Sequence, residues 1–267
     1  MVFRMSIMNP LLSIIFFAAL RLYSDIAASA LRHAGAPLDT SIQNEADRAV
    51  GQAVLWLCAQ QHPDGSWGAS NRVQTTSMAV CALKASRRSA AREPAIRATL
   101  WLGGTVTNRI ESLDTHAWRF LALFLALPET SERTALLLRL KASAQFAFAG
   151  ATGHQQRFWQ ETVAAAGLGA TPAPACGASN RLARVAADWP SCLTNNAGAW
   201  HLARLINRDG RGQLIDGNTP LDWRTDLARQ VIDTQRRDTL NGCYWNAQGQ
   251  DGKITETALG ILSLLEL

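Results

Sequence analysis

The sequence predicts an all-α protein built from repeated helix pairs. Three observations support this: apolar residues recur at helical spacing, one helix-turn-helix pattern returns along the chain, and strand signals are scarce. The chain has 267 residues, 48% of them hydrophobic, enough to bury the core of one domain. Ile42, Ala46, Ala49, Ala53, Val54 and Leu57 recur at helical spacing, and Thr40 with Gln43 has the pattern of a capping box. The spacing predicts a helix over 41–61. Pro63-Asp64-Gly65 then gives a turn, with proline fixing φ, Asp bonding its own backbone and glycine free to take positive φ. Trp67 follows it, and a second apolar helix runs on through Thr75-Thr76 to Leu83.

The pattern returns. Leu55-Trp56-Leu57 is echoed by Leu100-Trp101-Leu102, Asn71-Arg72-Val73 by Asn108-Arg109-Ile110, and residues 76–83 by 115–123. Weaker echoes of the second helix lie at 161–170, 195–205 and 256–267, each opening on a Thr or Asn able to cap a helix. The turn itself comes back in the last unit as Gln235, Gly242 and Trp245, with a longer gap. About five units are visible between residue 40 and the C-terminus. Helix pairs of this kind stack as an open solenoid or close into a ring, and periodicity does not choose between the two.

Gln61, Gly65 and Trp67 fit Q-x-x-x-G-x-W, which resembles the QW motif of the squalene-hopene and oxidosqualene cyclases. The resemblance extends to the terpenoid cyclase and protein prenyltransferase superfamily. It implies an α/α toroid of five to six helix-pair repeats, ten to twelve helices in all, with an inner ring inside an outer one. On that expectation the small-residue helices beginning at Thr76, Thr115, Thr162, Asn196 and Thr257 form the inner ring. The motif residues Gln61, Gly65, Trp67, Gln235, Gly242 and Trp245 are expected to staple helix ends. An indole packs across them, and a Gln amide satisfies backbone groups left open at a terminus.

The resemblance also supplies chemistry to look for. Class II cyclases protonate their substrate with the middle acid of D-x-D-D-T, and the nearest match here is Glu111-Ser112-Leu113-Asp114-Thr115. Leu113 stands where the proton donor should be, and a leucine cannot give a proton. Glu111, Asp114 and His116 remain the acid-base candidates, with helix capping the more economical role for Asp114. Prenyltransferase β subunits hold zinc through a D-G-C-Y segment and a distant His. Asn241-Gly242-Cys243-Tyr244 has lost the ligating Asp, and no histidine follows His201. One thiolate is short of the three ligands that catalytic zinc needs, so neither metal nor cofactor is expected. Trp118 and Trp200 occupy nearby positions in the proposed inner repeat and, with Glu161, are the ligand-binding candidates.

The formal charge of +5 is carried almost wholly by arginine, since Lys84, Lys141 and Lys253 are the lysines. No aromatic-basic stripe organises these charges, which argues against nucleic-acid binding. Residues 1–30 combine Arg4, the apolar run 11–20 and Ala28-Ser29-Ala30, which reads as a secretory signal peptide or an N-terminal membrane anchor. Residues 31–267 form the domain. Export would place it in a periplasmic or extracellular space, where five cysteines are an odd set: buried thiols for most, with Cys176 and Cys192 flanking a loop where they could pair. Two function classes emerge. One is a divergent, non-catalytic toroid that binds an apolar molecule, a glycan or a protein partner. The other is a short isoprenoid-processing enzyme using acids other than the family's.

Overall fold

The computed structural model describes residues 38–105, 111–148, 150–169, 196–208, 214–216 and 219–267. The signal-peptide segment, Cys176, Cys192 and the Asn108-Arg109-Ile110 echo lie outside the described residues. Within them the chain is mostly helical, as the sequence predicts. The helices are α1 (Thr40–Ala59), α2 (Arg72–Ser86), α3 (Arg92–Gly104), α4 (Leu113–Ala126), α5 (Ser131–Phe148), α6 (Gly153–Ala165), α7 (Asn196–Arg208), α8 (Trp223–Asp233) and α9 (Gly249–Leu265). Two short antiparallel ribbons, β1 (Leu214–Asp216) with β2 (Thr219–Leu221) and β3 (Gln235–Asp238) with β4 (Gly242–Trp245), were not foreseen. None of these helices is long and apolar enough to cross a membrane.

Two helices are buried on every side. Nine consecutive positions of α2, Thr75 to Leu83, and eight of α9, Thr257 to Leu264, are shielded from solvent. Neither helix has an exposed polar face, so neighbours surround it. Alanine, serine, threonine and glycine make up five of the nine residues in the first run and four of the eight in the second, which lets those neighbours approach closely. α9 packs on α2 and α7, α2 on α4, and α4 on α6. The flanking helices α1, α3, α5 and α8 lie against this central set.

Helix starts differ from the expected ones. Asp39, not Thr40, caps α1, accepting from the Ser41 amide at 2.8 Å, so the Thr40–Gln43 box does not form. Ser112, not Asp114, caps α4 by accepting from the Thr115 amide at 3.2 Å. The reason is position: in each case a capping side chain one step before the helix already satisfies an open N–H. α6 begins on a full capping box between Thr152 and Gln155, well before Thr162. Thr76 and Thr257 are buried inside α2 and α9 rather than at their starts, and both have another task.

That task is part of a wiring used twice. The Trp67 indole donates to Leu57 O at 2.7 Å while its backbone amide donates to the Thr76 hydroxyl at 2.9 Å. The Trp245 indole donates to Val231 O at 2.6 Å and its amide to the Thr257 hydroxyl at 3.1 Å. Each tryptophan therefore joins a carbonyl in the last turn of one helix to a threonine hydroxyl inside the next. The two glutamines sit four residues beyond the carbonyl each indole caps, and each reaches a different helix. Gln61 donates to Gly65 O and to Pro94 O at the start of α3. Gln235 donates to Ala49 O in α1 at 3.0 Å. The first contact points forward along the chain; the second returns from its last unit to its first.

Other bonds bring those two units together. The Trp56 indole donates to Asp238 at 3.1 Å and stacks on Tyr244, with centroids 5.1 Å apart. Asp251, in the first turn of α9, accepts from the amides of Ala69, Ser70 and Asn71 at 2.6, 2.8 and 3.2 Å. Burial pushes the Asp251 carboxyl up, but these three amides outweigh it and hold the group below its ordinary 3.8. The latch is therefore complete at neutral pH and is lost as pH falls from the unfolded value through the lower folded one. Asp251→Ala is expected to cost roughly 1–3 kcal/mol at pH 7, the range for hydrogen bonds to a charged group. Urea midpoints of the two proteins should draw together as pH falls below 3.8 and meet once the folded carboxyl is protonated. A gap that persists there would sink the latch.

Candidate functional site

The acid-base candidates gather at the start of α4. Glu111 precedes it and forms an ion pair with Arg119 at 2.7 Å, the guanidinium being only 1% exposed. Burial draws the Arg119 pKa down, while Glu111 pulls it back. His116 is buried one turn away, and its pKa is lowered below 6.5 by burial and then by the Arg119 charge, so it is neutral at pH 7. Asp114 is half-buried in the first helical turn. Leu113, standing where the family donor would be, is buried in the core. This cluster holds one charge pair in place. Its half-buried carboxylate is engaged by a guanidinium and is not directed into an open chamber.

The ligand-binding candidates separate. Trp118 of α4 and Trp200 of α7 are in contact, with centroids 4.9 Å apart, and Phe158 of α6 lies 5.1 Å from Trp118 and 5.8 Å from Trp200. All three rings are buried. The Arg204 guanidinium covers the Trp200 face at 4.6 Å, and the His201 ring lies 4.9 Å from the same indole. These aromatics join three helices and fill the space between them. Glu161 lies on α6, where it accepts from Arg157 at 3.2 Å in an i,i+4 pair. No described group of three or more His, Cys, Asp or Glu is placed to hold a metal. Cys81 is buried in α2, its pKa raised by burial; Cys58 and Cys243 are half-buried, and all three are free thiols.

A cleft of about 380 Å³ opens elsewhere, beside the second tryptophan turn. Asn196 at the start of α7, Gln230 near the end of α8, Arg236 of β3, Trp245 at the end of β4, Asn246 just after it, and Glu256 of α9 line it. Asn196 holds Glu256 in place twice: its amide donates to the carboxylate at 3.2 Å and its side chain to the Glu256 carbonyl at 3.1 Å. Desolvation raises the Glu256 pKa, opposed by that amide.

No protein family, curated protein or solved structure matches this chain. The site must therefore be judged on its own geometry. Sequence reading found Trp245 as a staple and Asn196 as a helix start, but missed Gln230, Arg236, Asn246 and Glu256 as a group. Their only sequence signal is position, on the rim of the returning turn. Glu256 immediately precedes Thr257 where the first unit carries Thr75 before Thr76.

Proposed function

We propose that this chain is an exported α/α toroid of the terpenoid cyclase and prenyltransferase type, used as a binding domain with its ligand cleft beside the second tryptophan turn. A closed ring is supported by the order of contacts: α9, α2, α4, α6 and α7 neighbour one another in turn, and α7 returns to α9. The Asp251 latch and the Gln235 bond to Ala49 add the meeting of first and last units. The Export reading rests on the N-terminal segment alone.

The observation that carries binding over isoprenoid catalysis is the contact between Trp118 and Trp200. A polyene substrate needs an apolar chamber with an acid directed into it, and the place where α4, α6 and α7 converge is filled by buried rings. Leucine stands at the family's donor position, and Glu111 is paired with Arg119. Among the described residues a mixed polar cleft is open.

Incubation of the purified chain with squalene and with prenyl diphosphates is expected to give no cyclised or transferred product by mass spectrometry. Native mass spectrometry of gently purified protein is expected to show a small hydrophilic adduct. Product formation that disappears in Asp114→Asn would replace binding with catalysis, and Trp118→Ala would then test whether the aromatic centre holds the substrate.

A further inference from the structure

The cleft has a counterpart in the first unit, and comparison of the two suggests what it takes. The shared wiring places Gln61 with Gln235, Trp67 with Trp245 and Thr76 with Thr257. On that correspondence Gly68 matches Asn246, and Thr75 matches Glu256. In the first unit the space between Gly68 and Thr75 is occupied: a Cβ on Gly68 would meet Asp251 Oδ1 at 2.9 Å and Thr75 Cβ at 3.1 Å. The occupant is a carboxylate, held by the amides of residues 69–71. In the last unit the matching stretch is Ala247-Gln248-Gly249, and Gln248 begins α9 without a side-chain cap. α7 places Asn196 at this edge, and Asn196 is engaged with Glu256. The space that a carboxylate fills in one unit is open in the other.

Two charges of opposite sign border that space. Arg236 comes from β3 and Glu256 from α9, and neither belongs to any ion pair of the described residues. We propose that the cleft binds a small zwitterion of the free α-amino acid type, its ammonium on Glu256 and its carboxylate on Arg236, beside Asn246 and Ala247. The side-chain amides of Gln230, Asn246 and Asn196 supply neutral hydrogen bonds around it, and Trp245 with Ala199 and Val231 gives an apolar wall for the ligand's side chain. A volume of about 380 Å³ lies within the range of small-molecule sites, about 300–1,000 Å³. Glu256 gains most from such a ligand, because a desolvated acid with one amide donor is stabilised by an approaching cation. The inference rests on the binding reading above and names its ligand class.

Isothermal titration of the full chain with the common amino acids, their N-acetyl and methyl-ester derivatives, and neutral mono- and disaccharides tests it. At least one free amino acid is expected to bind. N-acetylation or Glu256→Gln should weaken that binding about 10-fold or more, and esterification or Arg236→Ala should do the same. The derivatives test each charge without altering the protein, so a variant that fails to fold does not spare the proposal. Binding indifferent to both derivatives, or confined to the saccharides, overturns the zwitterion while leaving a binding domain. Failure of every amino acid to bind also overturns it. Turnover of the isoprenoid probes would instead remove the binding reading beneath it.

Discussion

Trp245→Ala is expected to lower stability by about 3–5 kcal/mol, the cost typical of deleting a buried tryptophan side chain. The indole is only 2% exposed and packs so closely on α9 that a Cβ on Gly260 would lie 2.7 Å from its ring. Alanine would leave a cavity there and remove the indole N–H that donates to Val231 O at 2.6 Å, leaving that carbonyl the Thr234 hydroxyl at 3.0 Å. Two contributions are thus combined, and Trp245→Phe separates them. Phenylalanine keeps much of the apolar volume but loses the donor, so its cost should fall near 1–3 kcal/mol. Urea unfolding followed by circular dichroism measures both. If Trp245→Phe matches the wild type, the indole hydrogen bond is not what fixes this turn, and only its bulk counts.

The same pair of effects explains why the motif was legible in the sequence while the cleft beside it was not. Gln, Gly and Trp at Gln61, Gly65 and Trp67 serve needs that few other residues meet. Those needs are an amide that reaches two carbonyls, a backbone at φ of 91°, and a large ring with one N–H. Chemistry so demanding leaves a recognisable spacing, and it did so again at Gln235, Gly242 and Trp245 despite the longer gap. The helical character of the chain was equally visible, because apolar spacing reflects burial directly. Boundaries were less so: Thr76 and Thr257 resemble caps in sequence, yet a buried threonine hydroxyl is just as well used to accept a tryptophan amide across a turn.

The cleft had no such signature because its residues come from five separate elements. Arg236 and Glu256 stand twenty positions apart, and Asn196 far from both; nothing in local spacing joins them. The β3–β4 hairpin was hidden for a related reason. Gln235-Arg236-Arg237-Asp238 is polar throughout and lacks the alternation that marks a half-buried strand, since the ribbon docks by its ends and by one tyrosine. The aromatic candidates were found but placed differently. Trp118 and Trp200 are buried against each other, where large rings join helices that small residues alone would leave loosely packed.

Gly242→Ala should be the most damaging small substitution, at about 2–5 kcal/mol, because two independent penalties meet there. Its φ of 107° lies where an L-residue is strained, which alone costs on the order of 1–3 kcal/mol. A Cβ would also stand 2.5 Å from the Gln52 carbonyl and 3.3 Å from the Trp56 amide, backbone atoms of α1 that cannot turn aside as a flexible side chain would. The hairpin must then move off α1, loosening the Trp56–Tyr244 stack, the Trp56–Asp238 bond and the Gln235 bond to Ala49. Gly249→Ala is the control. Its φ of 69° carries the conformational penalty, but nothing lies within 4 Å of the added Cβ. Melting temperatures should therefore order as wild type, then Gly249→Ala, then Gly242→Ala by a clear margin. Hydrogen exchange should quicken in β3, β4 and the facing turns of α1 only in the last. Equal losses at the two glycines would show that strain, not the seating of the last unit on the first, sets the cost.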